Sequence, residues 1–330
     1  MSPLESVKYS ERLGVIEPAQ LQAVAERFDL GRVTDACPLA GGLFGQNLML
    51  ETTRGRFVLR GRPHGPAQLA KERRVASLIH ERSSLPAPWP YRVSEDTAVF
   101  GWSYAVMPML PGRSGQDLWS AAGEKQRVGL AGSCGRALAM LHEAGWATPG
   151  AYDDTIDDFV PVKDPEAWWL ARLEAVRGQC RAVGALTVED ERFIDGVLEQ
   201  NRAALREPFR PVLVHHDFKP GNLNFTKNGD SWEPSGVFDL FEAYIADPDE
   251  DLVRMLRIVE TEEERRAFLS EYVGARGGLR AGAAERLELY ALADWLVIWE
   301  YGRRNRVWFE GVAFIDSVRP HLAAARRVVS

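Results

Sequence analysis

The chain has 330 residues, of which 45% are hydrophobic and 26% charged, and it carries a net charge of −7 at pH 7. These are ordinary values for a globular protein of one or two domains. The acidic balance argues against nonspecific nucleic-acid binding, and no apolar run reaches the roughly 18 residues that span a membrane. The first residues show no basic-then-apolar signal pattern. We therefore expect a cytoplasmic protein with no nucleic-acid partner and no membrane partner.

The first hundred residues carry more strand patterns than helical ones. Helical spacing of apolar residues predicts helices over 18–29 and 67–82. Short apolar runs between turn signals predict strands over 48–51, 56–60, 98–100 and 104–109. The turn at Pro111-Gly112 marks a boundary, so we assign residues 1–110 to one lobe and 111–330 to another.

Helical patterns dominate the rest of the chain, over 126–144, 164–182, 187–205 and most of 262–330. Short strands are predicted over 212–214, 223–225 and 236–238, with a hairpin turn at 227–230. The order predicts an α+β protein with a small β-rich N-terminal lobe and a larger, mostly helical C-terminal lobe. Residues 1–110 hold 13 basic and 11 acidic residues, and the remainder holds 27 and 36. This imbalance would suit a nucleotide in the first lobe and a cationic acceptor in the second, although solvated surface charge explains it equally well.

The most informative segment is His215-His216-Asp217-Phe218-Lys219-Pro220-Gly221-Asn222, followed by Val237-Phe238-Asp239. An Asp, an Asn five residues later and a second Asp after an apolar run form the acidic layout of a kinase active site. Asp217 is placed to accept a proton from a substrate hydroxyl. Asn222 and Asp239 offer the hard oxygen ligands that Mg²⁺ prefers.

The stretch from Asp239 to Leu252 completes a resemblance to the aminoglycoside phosphotransferase and choline kinase family. That family shows H-G-D-x-x-x-x-N, then a strand ending in Asp, then G-D-P-x-x-D-L. Here His216 and Ala246 stand where the family has glycine. The resemblance implies a two-lobed protein-kinase-like fold, and ATP and Mg²⁺ as cofactors. It also implies a small molecule with a hydroxyl group as the acceptor.

The resemblance also implies roles for residues near the base. His215 would brace the catalytic loop. Independently of the resemblance, which has His at this position in many antibiotic kinases, a cation at Lys219, two residues after Asp217, would neutralise charge on the transferred phosphate. Asp247, which precedes Pro248, is predicted to cap a short helix, because Asp caps well and Pro favours the first helical position.

Nucleotide-binding residues are expected in the first lobe. Arg60 ends a strand where kinases usually carry Lys, and Glu72 on the next helix is its expected partner. Gly42, in a glycine-rich turn over 41–45, would lie over the phosphates. Met107 and Met109 fall where a hinge would present backbone groups to adenine.

The acceptor pocket is the least defined part of the sequence. Trp295, Trp299 and Glu300 lie at helical spacing and would either stack on and fix an acceptor or belong to the core. The apolar and acidic stretch 152–169 is a similar candidate.

The sequence therefore predicts an ATP- and Mg²⁺-dependent O-phosphotransferase, with an antibiotic such as an aminoglycoside as the favoured acceptor. A metabolite kinase of the choline, homoserine or thio-sugar type is the alternative. A non-catalytic nucleotide-binding pseudokinase is a third possibility, although Asp217, Asn222 and Asp239 are all present. A protein kinase is disfavoured, because no Asp-Phe-Gly or Ala-Pro-Glu segment is evident.

Overall fold

A computed structural model describes residues 7–39 and 45–327 of the chain. The chain divides into two compact units. The sheet-rich unit comprises Met1–Ala121, Tyr152–Asp158 and Pro220–Glu242, and the helical unit comprises Ala122–Ala151, Phe159–Lys219 and Ala243–Ser330. Strands β9 (Gly150–Asp153) and β10 (Asp158–Pro161) are each shared between the units. The lobe boundary at residue 110 stays a prediction.

The sheet-rich unit is built mainly from antiparallel strands. Its strands and helices are β1 (Val7–Ser10), β2 (Gly14–Ile16), α1 (Pro18–Arg27), β3 (Val33–Pro38), β4 (Asn47–Thr52), β5 (Gly55–Gly61), α2 (Gln68–Arg82), β6 (Arg92–Ser94), β7 (Tyr104–Pro108), β8 (Arg113–Ser114), α3 (Gly115–Ala121), β12 (Leu223–Asn228) and β13 (Ser231–Val237). Over the described residues, one sheet has the order β3-β4-β5-β7-β6, a second pairs β13-β12-β8, and β1 pairs with β2.

The main sheet of this unit places Arg60 opposite the core. Leu48, Leu50 and Leu59 are buried in one apolar cluster with the inner face of α1. Because side chains alternate along a strand, Arg60 points to the other face of β5 from Leu59. Its backbone lies between Asn47 on β4 and Ala105 on β7, so the strand on which Arg60 stands is paired on both sides.

One predicted strand of this unit is wrong. Residues 98–100 form a turn, and β7 pairs with β5 on one side and with β6 (Arg92–Ser94) on the other. An apolar residue stands at position 100 because Phe100 stacks on Trp102 and packs, partly buried, against the apolar cluster that contains Leu48. A short apolar run thus marked buried contacts and not a strand. The hairpin formed by β1 and β2 was not predicted.

The helical unit contains most of the long helices. Its elements are α4 (Glu124–Leu141), α5 (Pro165–Ala182), α6 (Val188–Asn201), β11 (Val212–Val214), β14 (Tyr244–Ala246), α7 (Leu252–Ile258), α8 (Glu262–Arg276), α9 (Ala283–Asn305) and α10 (Phe314–Arg326). The predicted helices of this region and the strand predicted over 212–214 are therefore confirmed, with helix ends shifted by a few residues. The strands predicted over 223–225 and 236–238 correspond to β12 and β13 of the sheet-rich unit.

The helical unit contains one close helix packing and one strand pair that leads into the loop carrying Asp217. A Cβ on Gly135 of α4 would come within 2.2 Å of the Phe268 carbonyl oxygen on α8, so glycine lets the two backbones approach. Strand β11 pairs with β14 in the register Val212↔Ala246. The loop that carries Asp217 follows β11 directly. Among the described residues, no helix is long and apolar enough to cross a membrane.

Candidate active site

In the sheet-rich unit, an arginine joins two carboxylates. Arg60 of β5 lies with its Nε 2.8 Å from Glu72 Oε2, and its Nη2 donates to Glu72 Oε1 at 2.9 Å. The same Nη2 lies 3.1 Å from Asp239 Oδ1. The predicted partnership of Arg60 with Glu72 is thus present in the structure, and Asp239 is the third member of the cluster.

Glu72 is anchored from three sides. Besides Arg60, it accepts a hydrogen bond from Gln68 Nε2 at 2.9 Å and one from the Tyr91 hydroxyl at 2.6 Å. Burial alone would lower the pKa of Arg60, but Glu72, Tyr91 and Asp239 together outweigh burial and raise that pKa above its ordinary value. Arg60 is therefore a permanent cation in a fixed orientation.

Asn222 and Asp239 offer two oxygen ligands within the same unit. The N–H of Phe238 donates to the Asn222 carbonyl at 3.1 Å, which sets the backbone of Asn222 beside the residue preceding Asp239. Asn222 is buried, whereas the side chain of Asp239 is 46% exposed. Two protein oxygens fit Mg²⁺, which usually keeps waters and substrate phosphates as its other ligands. No group of three or more acidic, His or Cys side chains suited to a metal occurs among the described residues.

The predicted hinge residues are at the end of β7. Met107 is buried and pairs with Val58 across the sheet, and Met109 is partly exposed. The N–H of Met109 donates to the Arg56 carbonyl at 3.0 Å. That amide is therefore used by the sheet in this structure. Gly42 lies outside the described residues.

In the helical unit, the predicted base is held by two cations. Lys219 Nζ lies 2.9 Å from Asp217 Oδ1 and 2.8 Å from Oδ2. Arg254 of α7 donates from Nη1 to the same carboxylate, and its Nε donates to Asp294 Oδ1 at 2.7 Å. Sequence reasoning predicted Asp217 and Lys219 but missed Arg254.

The two cations decide the charge of Asp217. Burial would raise the pKa of this carboxyl, yet the charges of Arg254 and Lys219 outweigh burial and lower it to about 2. Asp217 is therefore a carboxylate at neutral pH.

The loop around Asp217 is braced by a second carboxylate. Asp251 accepts the backbone N–H groups of His215 and His216, each at 2.7 Å. It also lies 3.0 Å from His142 Nε2. His215 is buried, and its Nδ1 accepts the N–H of Asp217 at 3.2 Å. These contacts agree with the expectation that His215 supports the loop.

His142 and Tyr272 extend this brace into the core. His142 Nδ1 lies 3.0 Å from the Tyr272 hydroxyl. Because a carboxylate only accepts hydrogen bonds, the ring proton of His142 is on Nε2, toward Asp251, and Nδ1 accepts from Tyr272. Burial lowers the pKa of His142, with Asp251 opposing it, so the ring is neutral.

The predicted cap at Asp247 is confirmed. Asp247 Oδ1 accepts the N–H of Asp249 at 3.0 Å, at the start of the short 3-10 helix Pro248–Asp251. Two buried or partly buried arginines, Arg280 and Arg286, pair with these carboxylates. The segment after Ala246 is thus tied firmly to the helical unit.

The predicted acceptor residues of α9 have the contacts of core residues. Trp299 is 2% exposed, and its indole N–H donates to the Ala185 carbonyl at 2.7 Å. Trp295 is also buried and donates to Ser317 Oγ at 3.0 Å. Glu300 pairs with Arg304 one turn later at 2.8 Å. These contacts favour the core interpretation, because both indoles are covered by protein.

A cavity that Trp295, Trp299 and Glu300 do not line lies beside His216 within the helical unit. Its volume is about 70 Å³, and His216, the residue before Asp217, is part of its wall. The other polar and aromatic side chains that line it are Trp169, Arg172, Glu250, Tyr290 and Asp294. Trp169 ends the stretch 152–169 that the sequence suggested as an alternative acceptor region.

Glu250 and Arg172 give this cavity groups of both charges. The Tyr244 hydroxyl donates to Glu250 Oε2 at 2.5 Å, and Arg172 Nη1 lies 3.7 Å from that oxygen. The Arg172 guanidinium also stacks on the Tyr244 ring, 3.9 Å from its centroid. Burial raises the pKa of Glu250 to about 7, although Arg172 opposes the shift.

Comparison with known proteins agrees with this geometry. The model of the phosphotransferase enzyme family APH matches residues 35–290, more than three quarters of the chain. The chain belongs to this family. A homoserine kinase of Caulobacter vibrioides strain NA1000 is similar, with 25% identity over 311 residues that cover 85% of this chain and 88% of the relative.

Solved structures of the family are similar in fold. A protein of Ralstonia eutropha JMP134, provisionally named an aminoglycoside phosphotransferase, has a TM-score of 0.67 and 15% identity, covering 94% of this chain and 98% of its own. The GDP and kanamycin complex of APH(2″)-IIIa has a TM-score of 0.62 and 17% identity, covering 92% and 97%. The predicted α+β, two-lobed protein-kinase-like fold is thus confirmed, and the chain is a small-molecule phosphotransferase that uses a hydroxyl acceptor.

Proposed function

We propose that this member of the family is an ATP- and Mg²⁺-dependent O-phosphotransferase that acts on a compact hydroxylated metabolite. The observation that carries the proposal is the state of Asp217. It is a buried carboxylate that two cations keep ionised. A pseudokinase has no need of such a group, so the arrangement supports catalysis.

The nucleotide would be bound by residues of the sheet-rich unit. Arg60 is a fixed cation with a planar donor fork suited to phosphate oxygens. Asn222 and Asp239 would hold Mg²⁺, which neutralises charge on the triphosphate when it is bound. Binding of the metal would require Asp239 to exchange its contact with Arg60 for the ion.

Asp217 would orient the acceptor hydroxyl and receive its proton. A carboxylate with a low pKa is a weak base, but phosphoryl transfer makes small demands on base strength, because its transition state is loose and catalysis is mostly positioning and electrostatics. The charge and the fixed position of Asp217 are what this reaction requires. Lys219 contacts Asp217 in the structure, and its role toward the phosphate stays a prediction.

The cavity beside His216 supports a compact acceptor with both charges. Arg172 would receive a carboxylate, and Glu250 would receive an ammonium group once it is ionised. A small hydroxylated amino acid of the homoserine class carries both groups and a free hydroxyl. The relatives named homoserine kinase, which match most of the chain, favour the same class.

An aminoglycoside acceptor is the second candidate. The net charge of −9 over residues 111–330 favours a polycation. Solved relatives in this fold include complexes with kanamycin and with hygromycin B. The volume of the cavity, about 70 Å³, favours the smaller class of acceptor.

A substrate panel tests the proposal. Homoserine, other hydroxylated amino acids, choline, a thio-sugar, kanamycin and hygromycin B would each be incubated with the enzyme and MgATP, and the mass gain of one phosphoryl group recorded. We expect transfer to the hydroxylated amino acids, and no transfer with Asp217→Asn. Phosphorylation of kanamycin or hygromycin B alone would replace the metabolite assignment with the antibiotic one. No transfer to any acceptor, together with no MgATP binding, would contradict the kinase assignment.

A further inference from the structure

The base of the helical unit has a second partner that the family motif does not contain. Arg254 lies on α7, fifteen residues after the Asp239 that ends the motif strand, and its Nη1 donates to Asp217. Its Nε donates to Asp294 of α9 at 2.7 Å. The side chains of Asp217 and Arg254 are each 14% exposed. Asp217, Arg254 and Asp294 thus form a buried chain of alternating charge.

The two cations on Asp217 are held very differently. Lys219 lies two residues away on the same loop, and its side chain is 36% exposed on a long flexible stem. Arg254 stands on a helix, and Asp294 fixes its guanidinium from the side away from Asp217. Because the fork of an arginine is planar and rigid, this contact sets the position of the group and not only its charge.

We propose that Arg254, oriented by Asp294, is a positioning residue that holds Asp217 ionised and aimed at the acceptor. The inference rests on the proposed role of Asp217 as the base. Asp294 and Asp217's neighbour His216 both line the cavity assigned to the acceptor. The arginine therefore links the base to the wall of that cavity.

The electrostatics of the site give the same result. The charged and titratable groups that act on Asp217 come from its own loop and from α7, and they are His215, Lys219, Arg254 and Arg257. Asp294 of α9 is paired with Arg254. Burial favours the protonated form of Asp217, and Arg254 is the largest influence against it. Without Arg254, the carboxyl would keep its burial and lose its fixed cation, so its pKa would rise.

Glu250 gives an upper bound for this rise, because Asp217 without Arg254 would still have Lys219 at 2.8 Å. Glu250 is a buried carboxyl in the same unit whose ion pair with Arg172 is longer, 3.7 Å, and burial raises its pKa to about 7. If Asp217 without Arg254 reached a similar value, about nine tenths of the enzyme would have a protonated base at pH 6, since each pH unit below the pKa changes the ionised share about tenfold.

The test is the pH profile of kcat/KM, measured with MgATP and the best acceptor from the panel between pH 5 and 9. Wild-type enzyme should show no acidic limb from Asp217, because its pKa of about 2 lies far below this range. Arg254→Met should acquire an acidic limb beyond any seen in the wild type, so that the ratio of kcat/KM at pH 8.5 to that at pH 6 is up to about tenfold larger than the wild-type ratio. Arg254→Lys should show a smaller limb, and the KM for ATP should stay within about twofold in each variant.

Two further variants make the result decisive. Arg127→Met removes an arginine of the same unit that pairs with exposed Glu260, and its profile should match the wild type. If Arg254→Met does not fold, Asp294→Ala replaces it, because Arg254 keeps its charge but loses the acceptor that orients its Nε–H, and a weaker limb in the same direction is expected.

The outcomes separate this inference from the proposed function. An Asp217→Asn enzyme with near wild-type turnover overturns the role of the base and with it this inference. An inactive Asp217→Asn enzyme, combined with wild-type pH profiles in the folded Arg254 or Asp294 variants, overturns the role of Arg254 alone.

Discussion

Each unit of the protein carries an arginine placed between two carboxylates, and the two clusters differ in what they leave accessible. In the sheet-rich unit, Arg60 lies between anchored Glu72 and Asp239, whose side chain is 46% exposed. In the helical unit, Arg254 lies between anchored Asp294 and Asp217, whose side chain is 14% exposed.

The difference fits the chemistry proposed for each carboxylate. A metal ligand must be reached by an ion and exchange partners, so Asp239 is partly open and shares one nitrogen of Arg60. A base must be charged before the acceptor arrives and must not move, so Asp217 is enclosed and bound by two cations. An arginine–carboxylate pair would thus leave Asp239 able to exchange its partner for a metal ion in one unit, and would hold Asp217 charged and in place in the other.

The largest expected effect is at the fixed carboxylate. Asp217→Asn keeps the shape of the side chain but cannot take a proton, so we expect kcat to fall by about 10²–10⁴-fold, the usual contribution of a general base. The KM for ATP should change little, because the nucleotide is assigned to Arg60 and Asp239. Steady-state kinetics with both substrates varied give the result. Turnover within a few-fold of wild type would show that Asp217 has no role in chemistry.

The exchangeable carboxylate should affect binding instead. Asp239→Ala removes a proposed metal ligand, and we expect MgATP affinity to fall by at least roughly the 10–100-fold that loss of an outer-shell partner costs a metal site. Calorimetric titration with and without Mg²⁺ is the measurement. The loss should appear only with the metal present, and equal losses in both titrations would place Asp239 outside the metal site.

Changing Arg60 tests whether its fork or only its charge is needed. Arg60→Lys keeps the charge but cannot contact Glu72 and a phosphate through parallel N–H groups. The KM for ATP should rise roughly tenfold, the equivalent of one charge-assisted hydrogen bond of about 1.5 kcal/mol. An unchanged KM would mean that a point charge suffices. The melting temperature of the variant serves as the control for folding.

Glu250 extends the comparison to a buried carboxyl with a longer ion pair. Its raised pKa of about 7 means that it is protonated below that pH and ionised above it. For an acceptor with an ammonium group, KM should therefore fall roughly fivefold, or about 1 kcal/mol, as pH rises from 6 to 8. Glu250→Gln should remove this dependence while leaving the KM for ATP unchanged. A pH-dependence that survives the substitution must come from another group.

The sequence predicted the cluster residues that have a recognisable spacing or order along the chain. Asp217, Asn222 and Asp239 keep fixed separations, and Arg60 and Glu72 occupy a strand and the next helix in the expected order. Arg254 and Asp294 have no such signal, because they meet through the packing of α7 on α9, forty residues apart. Asp251 lies in the stretch that carries the family resemblance, but only the structure shows that it accepts the backbone N–H groups of His215 and His216.

The tryptophans of α9 show a second kind of limit. Their spacing predicted that they lie close together on one helix, which is correct. It did not predict whether the side of the helix on which they lie is covered by protein or open. Apolar and polar residues are both buried along α9, including Asp294 and Trp299, so the pattern does not separate a buried face from an open one. Trp169, from the alternative stretch, is the tryptophan that lines the cavity.

His216 has a backbone φ of +63°, a left-handed conformation that a glycine adopts without strain and most other residues do not. Its ring tilts against Tyr244, 5.1 Å between centroids, at the wall of the cavity proposed for the acceptor. The presence of a histidine in this left-handed conformation thus lowers the folding stability by about 1–2 kcal/mol. His216→Gly should produce an enzyme with higher folding stability and lower selectivity among acceptors. A higher melting temperature would then accompany more nearly equal kcat/KM values across the acceptor panel.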